Sequence, residues 1–132
     1  MTRDEIITYV RANAGADAAL ALGIISEESM FRADAFADDH NGGSYGLGQL
    51  NLATARDRGY TGDAAELFDP VRNILLTLAQ IAWIRGYLGH HGIADTDSVI
   101  AAYNEGVGNV VKGIADPQYV TRVTGYMKEF EV

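Results

Sequence analysis

The chain has 132 residues, a formal net charge of −8 and no cysteine. This length predicts a single domain over residues 1–132, and the lack of cysteine excludes disulfides, thiolate nucleophiles and cysteine-ligated zinc. An acidic chain repels phosphate backbones, and its apolar runs stop short of the ~18 residues of a membrane span, so we expect neither a nucleic-acid partner nor membrane insertion.

Helices dominate the first quarter of the chain. Thr2 is a residue type that caps helices, and it predicts a first helix that ends at Gly15. Asp17 is predicted to cap a second helix over residues 18–29. That second segment is apolar on most of its surface, so we expect it to be buried.

The helical spacing of apolar residues disappears between residues 32 and 47, where turn-forming residue types dominate. A small hairpin within residues 34–47 is compatible with this pattern. Asn51 then predicts the start of a short helix that runs to Arg58.

The longest helix is predicted from Pro70 to about His90, because Asp69 and Pro70 combine a cap residue with proline at the first helical position. Apolar residues follow helical spacing along it, so we expect a central core helix. Its main apolar stripe consists of Val71, Ile74, Leu75, Leu78 and Ala82.

Two further helices complete the chain. Residues 97–98 predict the start of one, which Gly106 and Gly108 are expected to break. Residues 116–117 repeat the cap-plus-proline start for the last helix. No long alternating pattern competes, so the predicted fold class is all-α, with about six to eight helices.

Glu28 is the first candidate for chemistry. An acid at the end of an apolar helix is partly desolvated, which raises its pKa and keeps it protonated near neutral pH, as a general acid requires. Most glutamates are merely solvated, and Glu27 is equivalent by composition. Because adjacent helical residues point about 100° apart, we expect only one of the two to face a cleft.

Three segments occur in order: Glu28-Ser29, then Gly-Leu-Gly-Gln at 46–49, then Ala-Tyr-Asn at 102–104. In this order and spacing they resemble the soluble lytic transglycosylase (SLT) domain family and its goose-type lysozyme relatives, whose pattern is Glu-Ser, Gly-Leu-Met-Gln and Ala-Tyr-Asn. The resemblance covers roughly residues 18–126 and is supported by Thr54-Ala55, by Asp69-Pro70 with Asn73-Ile74, and by Tyr119 to Tyr126. It implies a compact, lysozyme-like fold with a glycan groove between the end of the Glu28 helix and the 41–49 loop.

The resemblance also implies roles for individual residues. Glu28 matches the catalytic acid, and Tyr103 matches the tyrosine whose hydroxyl faces it. Gly48 is a departure, since the family usually has methionine there, and glycine removes that side chain from the groove. The residues inferred to bind substrate are Ser29, Tyr45, Leu47, Gln49 and Asn104.

The reaction implied is cleavage of the β-1,4 bond between N-acetylmuramic acid and N-acetylglucosamine in peptidoglycan, with formation of 1,6-anhydromuramic acid. Glu28 would act as acid and then as base. No cofactor and no metal are expected, and peptidoglycan glycan strands are the expected partner of a monomer.

Two alternatives stay open. A goose-type lysozyme-like hydrolase of the inverting kind needs a second carboxylate about 6.5–9.5 Å from the acid, for which Asp34, Asp38 and Asp39 are candidates. A solvated turn is the favoured interpretation of these residues, and a metal site at Asp38, Asp39 and His40 is not expected. The other alternative is a non-catalytic glycan-binding or structural module.

The N-terminus lacks the long apolar segment of a signal peptide. An enzyme of the cell wall without such a segment fits a phage lysis or virion-entry protein, or a domain of a larger wall enzyme.

Overall fold

The computed structural model describes residues 1–40 and 42–131. Within them the chain forms seven α-helices, two short 3-10 helices and one two-stranded antiparallel sheet. The α-helices are α1 (Arg3–Ala14), α2 (Ala18–Ser29), α3 (Leu52–Asp57), α4 (Pro70–His90), α5 (Thr96–Glu105), α6 (Val107–Val111) and α7 (Pro117–Met127). The strands are β1 (Phe36–Ala37) and β2 (Ser44–Tyr45), and the 3-10 helices span Gly15–Asp17 and Ala65–Phe68. The all-α prediction is confirmed, and the hairpin lies inside the segment that was compatible with one.

Four of the predicted helix starts are capped as expected. In each case a side-chain oxygen accepts a hydrogen bond from a backbone N–H of the first turn, which otherwise has no partner inside the helix. The capping residues are Thr2, Asn51, Asp69 and Asp116.

Two helix starts differ from the prediction. Asp17 does not cap α2, because its carboxylate forms a two-pronged ion pair with Arg85 of α4, at 2.8–3.2 Å. Helix α5 begins at Thr96, before Asp97, because Asp95 is the capping residue. Ser98 donates both its backbone N–H and its hydroxyl to Asp95, so the capping aspartate comes two residues earlier than predicted.

The buried face of α4 also differs from the predicted stripe. Val71, Leu75 and Ala82 are exposed, and Leu78 is only half-buried. Hydrophobicity alone missed the true face because that face includes two polar residues whose hydrogen bonds are made inside the protein. The buried residues of α4 are Asn73, Ile74, Thr77, Ile81, Ile84 and Leu88.

Gly106 ends α5 in the left-handed region, at φ 89°, as the sequence predicted. Gly108 does not break a helix, because it lies within α6.

Helix α2 forms the centre of the hydrophobic core, and its residues 20–26 are all buried. It packs mainly against α7, with α1 on another side, while α4 and α5 pack on each other. The prediction that α2 is buried is therefore confirmed. In the part of the chain that the structure describes, no helix is both long enough and apolar enough to cross a bilayer.

Candidate active site

The last turn of α2 presents Glu28 at the edge of the core. Apolar residues occupy the helix up to this turn, and Met30 ends it in the left-handed region at φ 52°. Glu28 is half-buried, and its Oε2 accepts a hydrogen bond from the hydroxyl of Tyr119 at 2.6 Å. Burial raises the pKa of Glu28, the hydrogen bond from Tyr119 opposes this, and the charge of Glu27 raises it further.

Helix α7 distinguishes the two adjacent glutamates. Arg122 donates from Nε to the Glu27 carboxylate at 2.9 Å, and Tyr119, three residues earlier on the same helix, donates to Glu28. Glu27 is therefore paired with the guanidinium of Arg122, whereas Glu28 is half-buried and its partner is an uncharged tyrosine hydroxyl. Of the two, Glu28 has the environment of a general acid.

Tyr119 was missed as a site residue from the sequence, although it lies in a stretch that resembles the family. Helix α7 begins at a proline, and Val123, four residues after Tyr119, is buried. Residues four apart lie on the same face of a helix, so Tyr119 is on the face toward α2. That face could have been inferred from the sequence, but its partner could not. Burial and the charge of Glu28 raise the pKa of Tyr119, so its hydroxyl is a hydrogen-bond donor at neutral pH.

Tyr103 lies in α5 and reaches the loop at residues 46–49. Its hydroxyl donates to the carbonyl oxygen of Gly48 at 2.6 Å rather than to Glu28. Burial and the charge of Glu28 raise the pKa of Tyr103, so its hydroxyl stays protonated at neutral pH. The structure thus ties the hydroxyl proton of Tyr103 to the loop.

Gly48 has no room for a side chain. A Cβ at this position would overlap Oγ1 of Thr77 and would lie 2.8 Å from the hydroxyl oxygen of Tyr103. The methionine that the family usually carries here could not be built without moving both. At Gly48, where this chain departs from the family pattern, the side chain of Thr77 occupies the space that a larger residue would need.

Gln49 adopts the left-handed region at φ 51°. Its Nε2 donates to the carbonyl oxygens of Ala35 and Gly46, at 3.1 and 3.0 Å, so the side-chain amide holds the loop in shape. It also lines a small polar recess that includes Tyr103 and Gln80. Gln49 and Tyr103 therefore share one surface.

Ser29 and Leu47 are both buried. The hydroxyl of Ser29 donates to the carbonyl of Ile25 within α2, at 3.1 Å, and Leu47 is part of the core. In this arrangement they support the walls of the site and offer no surface to a ligand.

Tyr45 and Asn104 lie at the periphery. The hydroxyl of Tyr45 donates to the carbonyl of Gly42 at 2.8 Å, and its ring packs edge-on against Phe36 and Phe68. Asn104 is exposed, and among the described residues its side chain makes no hydrogen bond. Tyr45 thus stabilises the hairpin.

The aspartates of the hairpin loop act within the turn. Asp38 accepts from the backbone N–H of His40, and Asp39 accepts from the hydroxyl of Ser44 at 2.8 Å, as the turn interpretation expects. Asp34 is exposed, and Asn41, part of the predicted loop, lies outside the described residues. Within residues 1–40 and 42–131, no three His, Asp or Glu side chains are grouped to hold a metal ion.

Comparison with known proteins identifies the family. The family model described as the transglycosylase SLT domain matches residues 5–120. Among solved structures, an inactive mutant of the lytic transglycosylase Slt from Pseudomonas aeruginosa matches with a TM-score of 0.76 and 23% identity. The match covers 96% of this chain and 23% of that protein, so this chain spans about a quarter of its length. No curated protein matches the chain. The resemblance found in the three sequence motifs is confirmed, and the chain belongs to the transglycosylase SLT domain family.

Proposed function

We propose that this chain cleaves the β-1,4 bond between N-acetylmuramic acid and N-acetylglucosamine in peptidoglycan, with Glu28 as the acid. Membership of the SLT domain family supports glycosidic-bond cleavage in the cell wall. The observation that carries the assignment of Glu28 is its half-buried carboxyl, hydrogen-bonded to Tyr119 at 2.6 Å.

In the first step Glu28 donates its proton to the glycosidic oxygen, and the bond from that oxygen to the anomeric carbon breaks. Burial raises the pKa of Glu28, so a protonated form is available for this transfer. The hydroxyl of Tyr119 then stabilises the carboxylate that forms and keeps it oriented. The substrate's own N-acetyl group assists at the anomeric carbon, as in other glycosidases that lack a second catalytic carboxylate.

In the second step the Glu28 carboxylate takes the proton of the muramoyl C6 hydroxyl. The C6 oxygen attacks the anomeric carbon and closes the 1,6-anhydro ring, and Glu28 is again protonated. The attack is intramolecular, so orientation of the sugar supplies much of the rate. Tyr103 and Gln49, which line the same polar recess, are the residues that we assign to this orientation.

Hydrolysis by an inverting mechanism has less support, because two of its three candidate bases are committed to the hairpin turn. Asp38 and Asp39 hold backbone and hydroxyl donors of the hairpin, so neither is presented as a free base for water. The solved Slt structure is an inactive glutamate-to-glutamine mutant, which supports the use of the same substitution here.

The test is mass spectrometry of muropeptides released from purified peptidoglycan. We expect the wild type to release products that carry 1,6-anhydromuramic acid and Glu28→Gln to release none. Glu27→Gln removes the same charge one residue away and is the matched control, which we expect to remain active. Tyr103→Phe and Tyr119→Phe retain the acid and are expected to reduce the rate less than Glu28→Gln.

Other products would redirect the assignment. Reducing-end sugars would indicate a hydrolase and return attention to Asp34, Asp38 and Asp39. Glycan binding without any product would indicate a binding module, and an active Glu28→Gln variant would refute the role of Glu28.

A further inference from the structure

A second cavity lies beside the polar recess that Gln49 and Tyr103 line. Its volume is about 460 Å³, within the range of small-ligand pockets, roughly 300–1,000 Å³. Its lining comes from the end of α3, the loop at residues 59–62, Glu66 and the first turns of α4. None of these residues takes part in the mechanism proposed for Glu28.

Two helical faces connect this cavity to the recess. On α3, Thr54 lines the recess and Arg58 lines the cavity, and the backbone N–H of Arg58 donates to the carbonyl oxygen of Thr54 at 3.2 Å. On α4, Gln80 lines the recess, and Leu76, four residues earlier, lines the cavity. Residues four apart lie on the same face of a helix and about 6 Å apart along its axis. The cavity therefore begins about one helical turn from the recess.

Arg58 brings an uncompensated positive charge to the cavity. It takes part in none of the ion pairs among the described residues, and its Nε is buried without a hydrogen-bond partner among them. Its guanidinium lies over the ring of Trp83, with Cζ 4.4 Å from the ring centroid. This cation–π contact is favourable, but it supplies no acceptor for the N–H groups. The acceptor that best matches a guanidinium is a carboxylate, which can take two of its N–H groups at once.

The other two charged residues of the cavity compensate each other. Arg72 forms an ion pair with Glu66. Leu75 and Leu76 supply an apolar wall, and Leu75 is 44% exposed. The cavity thus combines one unpaired cation with an apolar wall, which suits a short peptide that carries a carboxylate better than it suits a bare sugar.

We propose that this cavity binds a carboxylate of the peptide stem of peptidoglycan through Arg58. The inference rests on the proposed function, because it requires the glycan of the same substrate to occupy the recess. The stem is attached to the lactyl group of N-acetylmuramic acid and carries free carboxylates. A cavity one helical turn from the recess, and much larger than a single carboxylate, matches a peptide attached to a sugar in that recess. Arg58 would then make glycan strands that carry stems the preferred substrate.

The first test is a titration followed by NMR. Trp83 is the only tryptophan of the chain, so 15N-labelled protein gives a single indole N–H resonance, next to Arg58. The ligand is the N-acetylated stem peptide L-Ala-γ-D-Glu-L-Lys-D-Ala, and its control is the same peptide with both carboxylates amidated. We expect the acid form to shift the resonance and the amidated form to bind about tenfold more weakly, as the loss of a charge-assisted hydrogen bond would cause.

Three variants locate the binding. Arg58→Gln should weaken binding of the acid form about tenfold, whereas Arg56→Gln removes the same charge from an exposed side chain of α3 and should leave the affinity unchanged. Leu75→Glu places a negative charge at the exposed wall and should also weaken binding, which keeps the test decisive if Arg58→Gln does not fold. No shift in the wild type, equal binding of the amidated peptide, or a wild-type affinity in Arg58→Gln or Leu75→Glu would overturn the proposal.

Cleavage kinetics separate this role from a purely structural one. On strands that carry stems, we expect Arg58→Gln to raise KM about five- to tenfold, with kcat changed by less than about twofold. On strands whose stems an amidase has removed, its KM should equal that of the wild type. These strands retain only the lactyl carboxylate, so an equal rise on both substrates would overturn the assignment to the stem. If the wild type cleaves neither, the proposed function fails, and the titration alone decides the role of the cavity.

Discussion

At the scale of single residues, the burial that raises the pKa of Glu28 also links its ionisation to stability. The folded-state pKa is raised above the ordinary value of 4.5, so the folded protein binds this proton more tightly than the unfolded chain does. The free energy of unfolding therefore falls as pH rises from 4.5 through the folded-state pKa. Above that pKa, the ionised carboxylate lowers it by a constant amount.

Glu28→Gln should remove this pH dependence. Glutamine has the shape of a protonated glutamate, and its oxygen can still accept from Tyr119, but it does not ionise. We expect the variant to have a higher Tm than the wild type above the folded-state pKa of Glu28, and nearly the same Tm at about pH 4. Thermal unfolding followed by circular dichroism between about pH 4 and pH 8 measures the difference.

Glu27→Gln is again the control for this measurement. Glu27 is paired with Arg122 near the surface, so its removal should change stability little, by about 0–1 kcal/mol, and in the unfavourable direction. Equal Tm values for Glu28→Gln and the wild type over the whole range would mean that burial does not raise the pKa of Glu28.

The residues of the candidate site were predictable where the signal is local. Glu28 and Tyr103 belong to short consecutive motifs, so the sequence could propose both as site residues. Tyr119 is 91 residues from Glu28, and Asn73 is 25 residues from Gly48, so their contacts depend on helix packing that no local pattern records. Leu47 is the converse case: its place inside a motif suggested ligand contact, and the structure buries it in the core.

At the scale of elements, helix starts are decided by which side chain reaches the first-turn amides. Asp95 accepts both the backbone N–H and the hydroxyl of Ser98, whereas Asp97 already lies inside the first turn of α5. Both residues are acidic and both favour the positive end of the helix dipole, so composition alone does not separate them. The same limitation explains why the sequence placed the start of α5 two residues late.

Asp95→Ala and Asp97→Ala separate capping from charge. Asp95→Ala removes the cap and should lower the free energy of unfolding by about 1 kcal/mol, typical of a lost N-cap. Asp97→Ala removes only a charge near the helix N-terminus and should lower it by roughly 0.3–1 kcal/mol, less as salt is added. Urea unfolding measured in low and high salt distinguishes them, and equal salt-sensitive losses would contradict the assignment of the cap.

The limits of the long helix α4 could be predicted from the sequence, but its buried face could not. Its limits were predicted because Asp69 and Pro70 signal its start by local chemistry. Its buried face was not, because Asn73 and Thr77 replace apolar residues at core positions. Asn73 bonds to the backbone of Gly48 and Leu67, and Thr77 donates to Asn73, and these hydrogen bonds make their burial favourable. Buried polar residues that make several hydrogen bonds at once therefore cannot be recognised from a hydrophobic pattern.

At the scale of the whole molecule, the contact between α2 and α7 joins the core to the candidate site. Glu28 projects from the end of α2, and Tyr119 projects from the start of α7, so their hydrogen bond depends on the spacing of the two helices. Gly23 lies where α2 packs tightly against α7. A Cβ at Gly23 would lie 2.6 Å from Cγ of Met127 and 3.0 Å from the carbonyl oxygen of Val123.

Gly23→Ala is therefore expected to push α7 away from α2. Part of the overlap is with backbone, which a side-chain rotation cannot relieve, so we expect a loss of about 1–3 kcal/mol in the free energy of unfolding. Tyr119 lies one turn before Val123 on the same helix, so the rate of peptidoglycan cleavage should fall together with stability.

Gly86 provides the matched control, because it lies within α4, is exposed, and has no neighbouring atom within 4 Å of the point that a Cβ would occupy. Gly86→Ala should raise the free energy of unfolding by about 0.5–1 kcal/mol through helix propensity alone, with an unchanged cleavage rate. Urea unfolding and cleavage rates for the two variants measure both effects. If Gly23→Ala were as stable and as active as Gly86→Ala, the spacing of α2 and α7 would not control the position of Tyr119 relative to Glu28.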